Sequence, residues 1–75
     1  MRPRSSRHLA LGEAMRRRRT ELGRSQEQVA LDAGIDRAYY SGIERGEQNA
    51  SYATLLSIAD VLGVRLSELQ MRAEK

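Results

Sequence analysis

Of the thirteen basic side chains in this 75-residue sequence, twelve are arginines and one is Lys75. A guanidinium is planar and always charged. Its donors form a fork that matches two phosphate oxygens, or the two acceptors on the major-groove edge of guanine. Eight arginines fall in the first 25 residues (positions 2, 4, 7, 16, 17, 18, 19 and 24), where only Glu13 and Glu21 oppose them. The rest of the chain holds five basic and eight acidic side chains, which brings the formal net charge to +3. A basic half of this kind suits a polyanionic partner, and it equally suits a surface kept soluble by charge. Composition alone does not choose between the two.

Other chemistries lack parts. The sequence has no Cys, hence no disulfide and no thiolate metal site. His8 is the only histidine, with no second soft ligand to share a metal, and is expected at the surface. No nucleophile, base and orienting group can be assembled, and no Gly-rich phosphate loop is present. No catalytic residue, metal or cofactor is therefore expected. No apolar run approaches the ~18 residues of a membrane span. The patch Leu9-Ala10-Leu11 is too short for a secretory leader, so the expected location is the cytoplasm.

The elements that must position the arginines are helices. Gly23, Gly34, Gly46 and Gly63 each follow a helical pattern, where a left-handed residue ends a helix. No segment alternates with period two for long enough to argue a strand. A basic, flexible arm at residues 1–6 is expected, followed by one domain over 7–75 with five short helices. The first runs from about Arg7 to Leu22, with Leu11, Met15 and Leu22 on one stripe. The second runs from Gln26 to Ala33, opened by a Ser25/Gln28 capping box and facing inward through Val29, Ala30 and Ala33. The third follows the N-cap Asp36 and ends near Arg45, with Tyr40 and Ile43 inward. The fourth follows Ser51, with Tyr52, Leu55, Leu56, Ala59 and Leu62 as its main stripe and Ile58 and Val61 as a second apolar flank. The fifth, about Leu66 to Ala73, carries Leu66, Leu69 and Met71.

Residues 25–45, SQEQVALDAGIDRAYYSGIER, thus read as two helices meeting at a turn on Gly34. That is the geometry of a helix-turn-helix, in which the second helix enters the major groove of duplex DNA; any two-helix corner shares the spacing. The segments SQEQVA, the Gly34 turn, IERG at 43–46 and TLLSIADVLGV at 54–64 resemble the phage-repressor or Xre-type helix-turn-helix family over about residues 9–70. Within it, DRAYYSGIERG (36–46) is most similar to the controller proteins of restriction–modification systems. The resemblance implies an all-α, lambda-repressor-like bundle and a transcriptional regulator.

Arg37, Ala38, Ser41 and Arg45 share the face of the third helix opposite Tyr40 and Ile43. Arg37, at the helix start, is the leading base reader; Ala38 suits a thymine methyl, and Ser41 is a third candidate within reach of base or phosphate. Phosphate contacts are expected from Arg45 and Tyr39. By the resemblance they are also expected from Gln26, at the positive end of the second helix, and from Gln48 and Asn49 in the following loop. Gly42 has two readings, close approach to DNA or close helix packing. The resemblance also implies a buried ion pair between Glu44 and Arg19, although a helical wheel permits Arg18 equally. Three positions depart from the family pattern: Arg18 for Leu, Tyr40 for Ile or Val, and Ala50 for Pro.

A core this small leaves about 40% of the unfolded chain's surface uncovered. A homodimer is therefore expected, with Ile58, Val61, Leu66 and Leu69 at its interface, bound to a palindromic operator and acting on RNA polymerase. The rival reading is a protein-interaction module, such as an antitoxin-like subunit, that offers the same apolar flank to a different protein.

Overall fold

Four glycines with positive φ punctuate the chain: Gly23 (68°), Gly34 (73°), Gly46 (74°) and Gly63 (68°). In the computed structural model, which describes residues 6–73, they separate α1 (Ser6–Glu21), α2 (Gln26–Ala33), α3 (Arg37–Glu44), α4 (Tyr52–Val61) and α5 (Leu66–Ala73). Residues 1–5 of the expected basic arm lie outside the described part, and Ser6 is already the first residue of α1. Among the described residues no helix is long and apolar enough to cross a membrane.

Three of the short helices, α2, α3 and α4, begin with a side chain that satisfies free N–H groups. The Ser25 hydroxyl accepts from Gln28 N at 3.0 Å, and Gln28 Oε1 accepts from Ser25 N at 2.9 Å, closing the capping box. Asp36 Oδ2 accepts from Ala38 N and Tyr39 N, and Ser51 Oγ accepts from Thr54 N. Eight-residue helices are marginal in isolation, so these caps and the core must hold them together.

The core is built from one face of every helix: Ala14 and Met15, Val29 and Ala30, Tyr40 and Ile43, Ile58 and Ala59 with Leu62, then Leu66 and Leu69. α1 lies across α3 and α5, and α2 packs on α3 and α4. Two stripes differ from those expected. Leu22 is 40% exposed, because α1 ends before its side chain can turn inward. In α4 the inward face is Ile58, Ala59 and Leu62, while Tyr52 (69%) and Leu56 (38%) are exposed.

Three of the four residues expected at a dimer interface point inward instead. Ile58 and Leu69 are wholly buried and Leu66 is nearly so, inside this chain's own core. α5 packs against α1 and α4 on that side. Val61 is half-buried, packed against the core edge.

α1 and α3 meet with almost no spacer. A Cβ on Gly12 would fall 2.4 Å from the Glu44 carbonyl oxygen and 2.5 Å from that of Ile43. The last turn of α3 therefore rests directly on the backbone of α1.

Candidate nucleic-acid interface

α2 and α3 form the corner that sequence spacing indicated. Gly34 leaves α2 in the left-handed region, and Ile35 N donates back to Ala30 O at 2.9 Å, a Schellman-type closure. Ala30, 1% exposed, brings the helices close at the crossing. Ile43 fills the interface from the far end.

α3 is held from behind by a buried carboxylate. Glu44, with 2% of its side chain exposed, accepts from Arg19 Nε at 2.7 Å and from Arg19 Nη2 at 3.2 Å. It also accepts from Gln26 Nε2 at 2.9 Å. Arg19 spends its remaining fork position on the Arg24 carbonyl at 2.8 Å. Three helices are thus tied through one side chain. Burial acts to raise the Glu44 carboxyl pKa, but the hydrogen bonds from Arg19, with a further one from Gln26, hold it below the ordinary value. The Arg19 pKa rises in turn, chiefly through its bonds to Glu44. The Tyr40 hydroxyl is buried beside the pair without closing a hydrogen bond, and burial followed by the neighbouring carboxylate pushes its pKa far up.

Arg18, the alternative partner for Glu44, goes elsewhere. Its Nε donates to the Leu62 carbonyl at 2.9 Å, while Arg24 Nη1 donates to the Val61 carbonyl at 3.3 Å. Two arginines therefore cap the C-terminus of α4, where carbonyls lack helical partners. Nothing local in the sequence announces contacts across 44 and 37 positions. Gly12 was equally invisible, because only the fold brings a second backbone to it.

The outward side of α3 carries the expected contact residues. Arg37 and Ala38 are exposed, and Arg37 makes no ion pair or hydrogen bond among the described residues. Ser41 is half-buried and accepts from Arg45 Nη1, while Arg45 Nε donates to Glu47 Oε1 at 3.0 Å. Tyr39 is half-buried and packs on the edge of the core. Gln26 sits at the start of α2 with its amide bonded to Glu44. Gln48 and Asn49 are exposed in the loop after α3. At Gly42 no second helix among the described residues packs close, and a Cβ there would instead fall 2.6 Å from Gln48 Cγ in the following loop. The missing side chain makes room for the loop. His8, expected at the surface, is half-buried in a shallow recess with Leu11, Ile43 and Leu55.

α3 thus has a buried side pinned by an ion pair and an exposed side that carries the unpaired Arg37 guanidinium. The helix-turn-helix family model matches residues 15–69, and the chain belongs to this family of DNA-binding transcriptional regulators. It is similar to the control protein C.MunI of a Mycoplasma species, 44% identical over 81% of this chain and 80% of that one. Among solved structures, it resembles the restriction–modification controller protein C.AhdI from Aeromonas hydrophila. That match has a TM-score of 0.79 and 39% identity, over 81% of this chain and 92% of the other. The clp gene regulator ClgR from C. glutamicum superposes with a TM-score of 0.90 at 27% identity, over 99% of this chain and 95% of that one.

Proposed function

We propose that this chain is a restriction–modification control protein that binds an imperfect palindrome in duplex DNA as a homodimer. It regulates transcription there by blocking or recruiting RNA polymerase, its own promoter included. The observation that carries the reading is the outward face of α3, with Arg37 exposed and unpaired at its N-terminus while Glu44 anchors the opposite side. Arg37 reads a guanine through its fork, Ala38 lies against a base edge, and Ser41 contributes beside them. Gln26, Tyr39, Gln48 and Asn49 hold phosphates around that contact.

Size supports the homodimer. The chain is at most 29 Å across, whereas two recognition helices must sit about one DNA turn apart, ~34 Å. One copy with one α3 reads one half-site. Tyr52 and Leu56, four residues apart on α4 and both exposed, supply an apolar face for the partner copy.

The test is a mobility shift on the DNA immediately upstream of the gene, paired with sedimentation of the pure protein. Binding should favour an inverted repeat there over random duplex, weaken steeply with salt, and saturate at two chains per site. Equal affinity for random duplex would refute the control-protein reading. A protein that remains a monomer on and off DNA would refute the homodimer and leave Tyr52 and Leu56 for a different partner.

A further inference from the structure

Two arginines stand on the outward face of α3, and they are not equivalent. Arg37 is open, whereas the Arg45 guanidinium is engaged at two points. Its Nε donates to Glu47 Oε1 at 3.0 Å, and its Nη1 donates to Ser41 Oγ. Both charged side chains of this pair are solvent-accessible, 52% for Arg45 and 38% for Glu47. The pair therefore lies at the surface, just past the C-terminal end of the helix that carries Arg37. A carboxylate and a phosphate diester oxygen ask for the same donors, since both are anions that accept from one guanidinium fork. A backbone phosphate that reaches Arg45 must displace Glu47 or share the guanidinium with it, with two like charges a few ångströms apart.

We propose that Glu47 is an affinity-limiting residue, an internal competitor that keeps Arg45 from clamping DNA phosphate until a complex is good enough to displace it. The proposal rests on α3 being the DNA-binding helix. Phosphate contact supplies essentially all of sequence-independent binding, so the brake falls hardest on random duplex. An exposed ion pair is weak enough to open, which makes Glu47 a brake and not a lock. Ser41 keeps Arg45 on the same face while the carboxylate is displaced.

The experiment is fluorescence anisotropy with a random-sequence duplex at several salt concentrations, on wild type, Glu47→Gln, Arg45→Gln and the double variant. Glu47→Gln should bind about fivefold tighter at low salt, the size of one unit-charge contact at ~4 Å in water. Its log–log salt slope should steepen by about 0.9, one further phosphate neutralised. In the Arg45→Gln background the same substitution should change affinity less than about twofold. An equal gain in both backgrounds would overturn the proposal, because the effect would then be lost negative charge with no passage through Arg45. Unchanged or weaker binding by Glu47→Gln alone would overturn it as well. Wild type that ignores duplex even at low salt, with every variant alike, would overturn the DNA-binding reading of α3 and this proposal together.

Discussion

Removing Arg19 should cost this protein more than removing Glu44, although they belong to one ion pair. The Glu44 side chain is 2% exposed and that of Arg19 is 15%. In Arg19→Met the carboxylate keeps only the Gln26 amide and has no route to water. In Glu44→Ala the guanidinium still holds the Arg24 carbonyl and gains hydration through its exposed edge. Breaking a buried pair by removing one partner costs about 3–5 kcal/mol, so Arg19→Met belongs near the upper end and Glu44→Ala near the lower. A 75-residue domain has a total stability on the order of 4–11 kcal/mol. At about 4–8 °C per kcal/mol, even a loss of ~3 kcal/mol lowers Tm by roughly 12–24 °C. The pH dependence separates this account from simple loss of packing. In the wild type the Glu44 pKa lies below its unfolded value, so its contribution is present above the ordinary carboxylate range and is lost as pH falls through the folded pKa. Without Arg19, burial dominates and the pKa moves above the unfolded value, so stability should rise as pH falls. Circular-dichroism melts of wild type and Arg19→Met between neutral pH and about pH 4 should therefore converge. Parallel curves, or an Arg19→Met melt within a few degrees of wild type at neutral pH, would refute the reasoning.

Gly12→Ala should destabilise by about 1–3 kcal/mol in a chemical melt, because its Cβ meets backbone oxygen at 2.4 Å and backbone cannot rotate aside. Gly42→Ala should be neutral or gain up to about 1 kcal/mol, since the obstruction is the mobile Gln48 side chain and alanine favours the helix. Arg37→Ala should leave Tm unchanged, its side chain being exposed, yet cost about 1–3 kcal/mol of discrimination at one base pair in a competition binding assay. A uniform loss across all sequences would make Arg37 a phosphate clamp instead. Leu56→Glu should shift sedimentation towards monomer and leave the melting of that monomer nearly intact, because the residue faces solvent.

The elements were legible because their punctuation is chemical. A left-handed position selects glycine, and an N-cap needs a short acceptor, so Ser25, Asp36 and Ser51 mark three starts and Gly34 marks the turn. The choice of inward face on α4 was not legible. Tyr52, Leu55, Leu56, Ile58, Ala59, Val61 and Leu62 are apolar around most of the helix, and two overlapping stripes satisfy the same period. Where α5 docks decides between them, and docking is a property of the whole chain. Arg19 and Arg18 were likewise interchangeable on a helical wheel, and only the separate positions of Glu44 and the Leu62 carbonyl tell them apart. The contact residues on α3 could be placed on one face by spacing. That Arg45 is already engaged by Glu47 could not be read, because it depends on how the chain turns after the helix.

The contact at Gly12 has a bearing on recognition as well as on folding. A hydrogen atom, where other residues carry a methyl, sets how near the end of α3 lies to α1. Widening that gap would tilt α3 and, on the proposed reading, change the angle and depth at which it enters the major groove. On the proposed reading, the bases that Arg37 meets then depend partly on a residue of α1 that touches no base itself. Aim can drift here while every contacting side chain stays the same.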